Sequence, residues 1–164
     1  MEREELRVGI GWDSHPLISG RRLNLGGVDI PYSKGLLGWS DADVAIHAII
    51  DALCGAADLG DIGTLFPSQE PEYKDISSLV LLSKTSELLK VRGLRVANID
   101  VTIMAENPKL SPFIPEMRRR IGQVLCVDST QVTIKATTTN GLGFIGRGEG
   151  MAAQAVVLIR GTRS

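Results

Sequence analysis

The only two histidines in this 164-residue chain each follow an aspartate closely. His15 ends the run Asp13-Ser14-His15, and His47 lies four residues after Asp43. Two imidazoles and one carboxylate are three ligands for a divalent metal such as zinc, with a coordination position left open for chemistry. The same set can hold a non-haem iron. Each segment alone has an ordinary explanation, a polar strand end or a helix histidine bonded to Asp43 or Asp51, so the metal hypothesis requires that they meet in space.

A second candidate site lies near the end of the chain, where Thr137-Thr138-Thr139 precedes the glycine-rich stretch 141–150. A glycine-rich backbone can approach phosphates closely, and threonine hydroxyls can bind them. The stretch is not a P-loop, because no Gly-Lys-Ser/Thr ends it. A mobile surface loop after a threonine-rich strand explains the same residues. The patterns alone therefore indicate a metal site and at most an anion site.

Composition is that of one globular domain, with 43% hydrophobic residues, 23% charged residues and a net charge of −1. We expect a single domain over residues 1–164, with residues 1–5 disordered. The basic run at 118–120 lies beside Glu116, which is typical of a solvated helix face and gives no basic stripe for nucleic acid. No apolar stretch is long enough for a membrane, and the charged N-terminus is not a signal peptide. Cys54 and Cys126 lie in apolar helical contexts, which predicts reduced thiols and a cytoplasmic protein.

The elements that must position these residues alternate between strands and helices, so we predict one α+β domain. A strand at 8–12 runs into Asp13, and Ser40 is the predicted N-cap of a helix that ends near Ala57. On that helix Asp51 follows His47 by one turn and is a candidate to orient its ring. The other predicted elements are a hairpin at 22–30, helices at 77–91 and 112–125, and strands at 99–103, 132–136 and 151–159. The last strand is apolar on both faces, which suggests that a partner subunit covers one face.

Six ordered segments resemble the 2-C-methyl-D-erythritol 2,4-cyclodiphosphate synthase family. They are residues 11–15, 40–47, 59–63, 108–109, 135–139 and 146–150, within a likeness that runs from Arg7 to Ile159. The resemblance implies a small mixed sheet packed on helices. It also implies a homotrimer whose sheets face the axis and whose active sites lie between subunits.

The resemblance further implies an enzyme of non-mevalonate isoprenoid biosynthesis. Its substrate would be 4-diphosphocytidyl-2-C-methyl-D-erythritol 2-phosphate, whose 2-phosphate attacks its own β-phosphate and displaces CMP. The nucleophile belongs to the substrate, so the protein's task is to position the phosphates and to neutralise their charge.

By the same resemblance, Asp13, His15 and His47 would bind Zn²⁺, and a second ion, Mg²⁺ or Mn²⁺, would bridge the substrate phosphates. Thr138 would contact the diphosphate at the transition state, and Arg147 and Glu149 would lie near a cavity on the trimer axis. The implied substrate-binding residues are Asp13, Ser14, His15, Trp39, Ser40, Asp61, Ile62, Gly63, Phe66, Ala105, Pro108, Lys109, Leu110, Thr137, Thr138, Thr139, Asn140, Phe144 and Arg147.

Three positions differ from the family pattern. Trp39 stands where the family has a histidine, and its indole N–H could still donate to the diphosphate. Asn140 replaces a glutamate that helps to hold the second metal, and Ser68 replaces an aspartate. Two alternatives to an active cyclase therefore stay open: a catalytically weak relative that binds zinc and a cytidine nucleotide or isoprenoid diphosphate, and, from the pattern alone, a metal oxygenase.

Overall fold

A five-stranded mixed sheet is the framework of the computed structural model, which describes residues 3–163. Its strand order is β4-β1-β7-β5-β6; the β5–β6 pair is parallel and the other neighbours are antiparallel. The strands are β1 (Arg3–Ser19), β4 (Lys34–Leu36), β5 (Arg95–Met104), β6 (Val132–Thr137) and β7 (Gly150–Arg163). A separate hairpin is formed by β2 (Leu23–Leu25) and β3 (Val28–Ile30).

Three helices of three turns or more cover one face of this sheet, which confirms the predicted α+β fold. They are α1 (Val44–Ala56), α3 (Ser78–Val91) and α4 (Ile114–Leu125). Two single-turn helices, α2 (Ile62–Leu65) and α5 (Gly143–Gly146), lie in the connections. Within residues 3–163, no helix combines the length and the hydropathy that crossing a membrane requires.

The predicted strands and long helices are all present, but several boundaries differ. Asp43, not Ser40, is the N-cap of α1, and its side chain accepts from the backbone N–H of Ile46. β1 continues through residues 13–15 and begins at Arg3, so the predicted disorder is wrong for residues 3–5, whereas residues 1 and 2 lie outside the described residues. β4, α2 and α5 were not predicted. α5 gives part of the glycine-rich stretch a regular structure.

Helix α1 lies so close to β1 that only glycine fits at two positions of the strand. A Cβ atom on Gly9 would lie 1.9 Å from the carbonyl oxygen of Ala52, and one on Gly11 would lie 2.0 Å from that of Ala48. Eleven of the thirteen residues of α1 are buried, so the helix has no exposed polar face. Close packing of small residues therefore brings β1 and α1 together at the end that carries Asp13 and His47.

The opposite face of the sheet exposes large apolar side chains. Because the glycines of β1 face α1, the alternate residues of that strand point away from the helices. We call this surface the exposed sheet face; it consists of Leu6, Val8, Ile10, Trp12 and Val156, whose side chains are 42–69% exposed. Contiguous exposed apolar surface is typical of interaction sites.

Candidate metal centre and active site

Asp13, His15 and His47 meet at one point between β1 and α1. Asp13 and His15 are two residues apart on a strand, so they share the face that packs on α1, where His47 lies. Oδ2 of Asp13 is 3.0 Å from Nε2 of His15 and 3.0 Å from Nδ1 of His47. One ligand atom from each of the three residues lies within 4.8 Å of the other two. The structure therefore unites the two histidine segments, as the metal hypothesis requires.

The ring of His15 is oriented by a backbone carbonyl. Its Nδ1 lies 2.8 Å from the carbonyl oxygen of Leu37. Because a carbonyl only accepts, Nδ1 carries a ring hydrogen, and Nε2, 3.0 Å from Oδ2 of Asp13, is the nitrogen available to a metal ion. Gly38 makes this contact possible, since a Cβ atom there would lie 2.9 Å from Cε1 of His15.

The ring of His47 is oriented by two serine hydroxyls, not by the carboxylates that the sequence suggested. Its Nε2 lies 2.8 Å from Oγ of Ser78 and 3.1 Å from Oγ of Ser40. Asp51 instead accepts from the backbone N–H of Ile62 at 3.2 Å, so the prediction that it orients His47 is wrong.

The carboxylate of Asp43 does not orient the His47 ring either, because it is committed to backbone groups. It accepts from the N–H groups of Gly26, Gly27 and Ile46, and so joins the β2–β3 turn to the start of α1. Burial, with the nearby charge of Asp41, raises the pKa of Asp43 to about 7, against the opposing effect of those three donors.

The electrostatics of Asp13 and the two histidines suit a bound cation. Burial raises the pKa of Asp13, but hydrogen bonds and charge from His15 and His47 outweigh it, and the net pKa is lowered. Burial lowers the pKa of His15, but the carboxylate of Asp13 outweighs it, and the net pKa is raised. Each shift reflects the attraction between a carboxylate and positive charge on the ring. Two nitrogens and one oxygen are a donor set that zinc accepts, so the residues fit the implied metal.

A cavity of ≈ 360 Å³ opens beside the three candidate ligands. Its wall contains five more residues that the sequence assigned to substrate: Trp39, Ser40, Ile62, Gly63 and Phe66. Pro67, Ser68, Tyr73 and Leu81 complete the lining. We call it the metal pocket.

Trp39, at the rim of the metal pocket, forms two hydrogen bonds with the loop after α2. Its indole N–H donates to the carbonyl oxygen of Glu70 at 3.0 Å, and its own carbonyl accepts from the backbone N–H of Asp75 at 2.9 Å. The indole donor that we expected to face a diphosphate is thus directed to the loop.

Six of the implied substrate-binding residues lie in a different cavity, of ≈ 370 Å³, between the end of β6 and the segment after β5. Its lining shares no residue with the metal pocket; it is formed by residues 105–111 together with Ala136, Thr137 and Thr138. We call it the 105–111 pocket. Ala105, Pro108, Lys109 and Leu110, which the sequence assigned to substrate, therefore line one cavity.

The turn that follows β6 fixes the threonines beside this pocket. The backbone N–H and the hydroxyl of Thr139 lie 2.7 and 3.2 Å from Oε1 of Glu106. Oγ1 of Thr138 accepts from the backbone N–H of Asn140, which has a left-handed backbone with φ 54°. The Thr138 hydroxyl keeps its hydrogen for an external acceptor.

The remaining predicted residues lie outside both pockets. Ser14, Phe144 and Glu149 line a third cavity of ≈ 340 Å³ with His15. Arg147 is paired with Glu149 at 2.9 Å, and Asp61 is the N-cap of α2, where it accepts from the backbone N–H of Thr64.

Several contacts of the site were missed by the sequence analysis: those of Ser78, Asp41, Leu37 and Glu106, and the pocket lining by Tyr73 and Leu81. Ser78 lies at the start of a predicted helix, which signals a capping role and says nothing about a histidine 31 residues earlier. The carbonyl of Leu37 has no side-chain signal at all.

A family model described as the YgbB family matches residues 6–160. The chain belongs to the YgbB family. The 2-C-methyl-D-erythritol 2,4-cyclodiphosphate synthase of Caldicellulosiruptor bescii is 56% identical to this YgbB chain over 153 residues, which cover 93% of this chain and 98% of the relative.

Solved structures agree with this YgbB assignment. The CDP complex of IspF from Plasmodium falciparum is 30% identical, with a TM-score of 0.84 over 96% of this chain and 97% of that one. The bifunctional IspDF of Campylobacter jejuni is 40% identical, with a TM-score of 0.93 over 97% of this chain but only 43% of that longer chain. The resemblance inferred from six short segments is confirmed.

Proposed function

We propose that this chain is a cyclodiphosphate synthase of non-mevalonate isoprenoid biosynthesis. It converts 4-diphosphocytidyl-2-C-methyl-D-erythritol 2-phosphate to 2-C-methyl-D-erythritol 2,4-cyclodiphosphate. A new bond forms between a 2-phosphate oxygen and the β-phosphorus, the bond from the β-phosphorus to the bridging oxygen breaks, and CMP leaves with that oxygen. Because water takes no part, the enzyme is a phosphorus–oxygen lyase, and we place it in the cytoplasm.

One observation carries the proposal: the convergence of Asp13, His15 and His47 on a pocket, in a chain 56% identical to a synthase of this name. The three proposed ligands come from β1 and α1. The rings of His15 and His47 are each fixed in orientation by hydrogen bonds before any metal binds. A preorganised donor set of this kind favours metal binding over a purely structural histidine cluster.

Zn²⁺ is the proposed metal for Asp13, His15 and His47, and Mg²⁺ or Mn²⁺ is proposed between the substrate phosphates. When bound, such ions supply Lewis-acid stabilisation of phosphate charge and a template for the in-line geometry. If Asn140 contributes to the second ion, it would supply a neutral carbonyl oxygen where a glutamate would supply a charge.

The chain's own residues would bind and align the two ends of the substrate. In the 105–111 pocket, Lys109 and the surrounding backbone groups are proposed to hold the cytidine diphosphate end, with the free hydroxyl hydrogen of Thr138 donated to a diphosphate oxygen. In the metal pocket, Ile62, Gly63 and Phe66 would enclose the methylerythritol end and exclude water.

A homotrimer is proposed on two observations, the separate linings of the two pockets and the exposed sheet face. The two pockets have no lining residue in common, so a substrate that uses both fits an arrangement in which neighbouring subunits each contribute one. The exposed sheet face supports the same arrangement, with Val8 69% and Ile10 62% exposed until a partner covers them.

The test is ³¹P NMR of the purified protein with the cytidylyl substrate, Zn²⁺ and Mg²⁺ or Mn²⁺. We expect CMP and the cyclic diphosphate to appear in equal amounts, and we expect His47→Ala to abolish both signals. Tight substrate binding without turnover would contradict the proposal and favour the catalytically weak binding relative. Oxygen consumption by an iron-loaded protein would favour an oxygenase instead.

A further inference from the structure

Ser78 is a completely buried residue that lies between a candidate metal ligand and a carboxylate. Its Oγ is 2.8 Å from Nε2 of His47, and its hydroxyl donates to Oδ1 of Asp41. Its backbone N–H donates to the other oxygen of Asp41 at 2.8 Å. Both oxygens of one carboxylate therefore hold Ser78 in place at the start of α3.

The hydrogen positions in the series of hydrogen bonds from Asp41 through Ser78 to His47 follow from the donors and acceptors available. A serine hydroxyl has one hydrogen and two lone pairs, and an ionised carboxylate only accepts. The hydroxyl hydrogen of Ser78 therefore points to Asp41, and an oxygen lone pair faces Nε2 of His47. That nitrogen must carry a ring hydrogen, so Nδ1, 3.0 Å from Oδ2 of Asp13, is the nitrogen that a metal ion could bind.

We infer that Ser78 and Asp41 are positioning residues that hold His47 in the tautomer whose Nδ1 can bind a metal ion. This inference rests on the metal centre of the proposed function and deepens it. A carboxylate behind the serine also makes the imidazole a stronger ligand, because it stabilises the hydrogen on Nε2.

Ser40 and Ser78 both contact Nε2 of His47, but only Ser78 requires a hydrogen on that nitrogen. Oγ of Ser40 lies 3.1 Å from this Nε2 and accepts from the backbone N–H of Ala42, so its own hydroxyl hydrogen is not committed. Ser40 can satisfy either tautomer of His47, whereas Ser78 can satisfy only one. Without the hydroxyl of Ser78, Ser40 accepts either form at Nε2, whereas Oδ2 of Asp13 favours a hydrogen on Nδ1, which blocks metal binding there.

His15 supplies an internal reference, because its ring is held in the opposite tautomer by the carbonyl of Leu37. Since the chain has only two histidines, their ring nitrogens can be resolved by long-range ¹H–¹⁵N NMR of the zinc-loaded protein. We expect one Nε2–H ring, from His47, and one Nδ1–H ring, from His15. Backbone connectivities assign the two. An Nδ1–H signal from His47 in the zinc-loaded wild-type protein would overturn the inference.

Ser78→Ala tests the consequence for metal binding. We expect Zn²⁺ affinity, measured by competition with a chelating indicator, to fall about 10–100-fold. Ser86→Ala is the matched control, because it removes another buried serine hydroxyl from the same helix and is expected to leave Zn²⁺ affinity unchanged.

Wild-type affinity in Ser78→Ala would overturn the inference and leave the proposed function intact. Failure of the wild-type protein itself to bind Zn²⁺ would contradict the proposed metal centre. The tautomer measurement on the wild-type protein still decides the role of Ser78 if Ser78→Ala does not fold.

Discussion

Gly11 on β1 packs directly against the backbone of Ala48 on α1. The space for a side chain at Gly11 is already filled, because a Cβ atom would lie 2.0 Å from the carbonyl oxygen of Ala48. Asp13 is the next residue on that face of β1, and His47 immediately precedes Ala48. The strand–helix contact therefore fixes the distance between a carboxylate and an imidazole of the metal centre.

We predict that Gly11→Ala destabilises the protein and weakens metal binding together. Overpacking of this kind costs about 1–3 kcal/mol, and here the obstructing atom is backbone, which cannot rotate away. Urea unfolding and a Zn²⁺ titration would measure the two effects. Gly55→Ala on α1 is the control: nothing lies within 4 Å of its added Cβ, so it should stabilise the helix by about 0.5–1 kcal/mol. Unchanged Zn²⁺ affinity in Gly11→Ala would contradict our account of the contact.

The pH dependence of stability is expected to reverse when metal binds. His15 has a pKa raised above its usual 6.5, since Asp13 outweighs the opposing effect of burial. That interaction stabilises the metal-free protein fully below pH 6.5 and is lost as pH rises through the folded-state pKa. Metal binding requires the unprotonated ring, so Zn²⁺ affinity rises over the same range.

Thermal unfolding at about pH 6 and about pH 8.5, with chelator and with Zn²⁺, measures both trends. Asp13→Asn is the comparison, because it removes the cause of the raised pKa of His15 and keeps the titration of Asp43. If the chelator-treated wild type and Asp13→Asn respond identically to pH, the assignment to His15 is wrong.

Trp39→Phe should loosen the loop that borders the metal pocket. The variant loses the hydrogen bond to the carbonyl of Glu70 and keeps the aromatic surface. We expect faster amide exchange in residues 67–75, a loss of stability below about 1.5 kcal/mol and a larger rise in KM than fall in kcat. Trp12→Phe, on the exposed sheet face, controls for the loss of an indole. A lower kcat with unchanged exchange would show that the indole acts on substrate instead.

Asn140→Glu should lower the Mg²⁺ concentration that gives half-maximal rate. A carboxylate binds Mg²⁺ more strongly than an amide oxygen does. Position 140 has φ 54°, so any replacement there carries some backbone strain. Asn140→Gln carries comparable strain without the charge and is the matched control. An unchanged or higher Mg²⁺ requirement in Asn140→Glu would refute the role given to this position.

Local patterns predicted most of the fold. The ranges expected for α3, α4 and the three later strands lie within a few residues of the observed ones, because apolar periodicity is a property of the segment itself. Asp43 is a position whose role local patterns could not predict. It caps α1 while its carboxylate accepts from Gly26 and Gly27, 17 and 16 residues away. No local pattern distinguishes it from Ser40, three residues before it.

The candidate site was likewise predictable from the sequence only in part. The ligand set Asp13, His15 and His47 could be proposed from residue types, because the chain has only two histidines and each follows an aspartate closely. Its supporting contacts could not, since the carbonyl of Leu37 and the hydroxyl of Ser78 are ordinary groups that only the packing of α1, α3 and β1 brings to the rings. The separation of the two pockets on one chain likewise depends on how β1 and β5 are placed in the sheet.

The metal centre is tested most directly by diffraction from zinc-loaded crystals at the zinc absorption edge. We predict one anomalous peak per chain at about 2.0–2.2 Å from Oδ2 of Asp13, Nε2 of His15 and Nδ1 of His47. A peak bonded to the opposite ring nitrogens, or zinc-saturated protein with its peak elsewhere, would contradict the account.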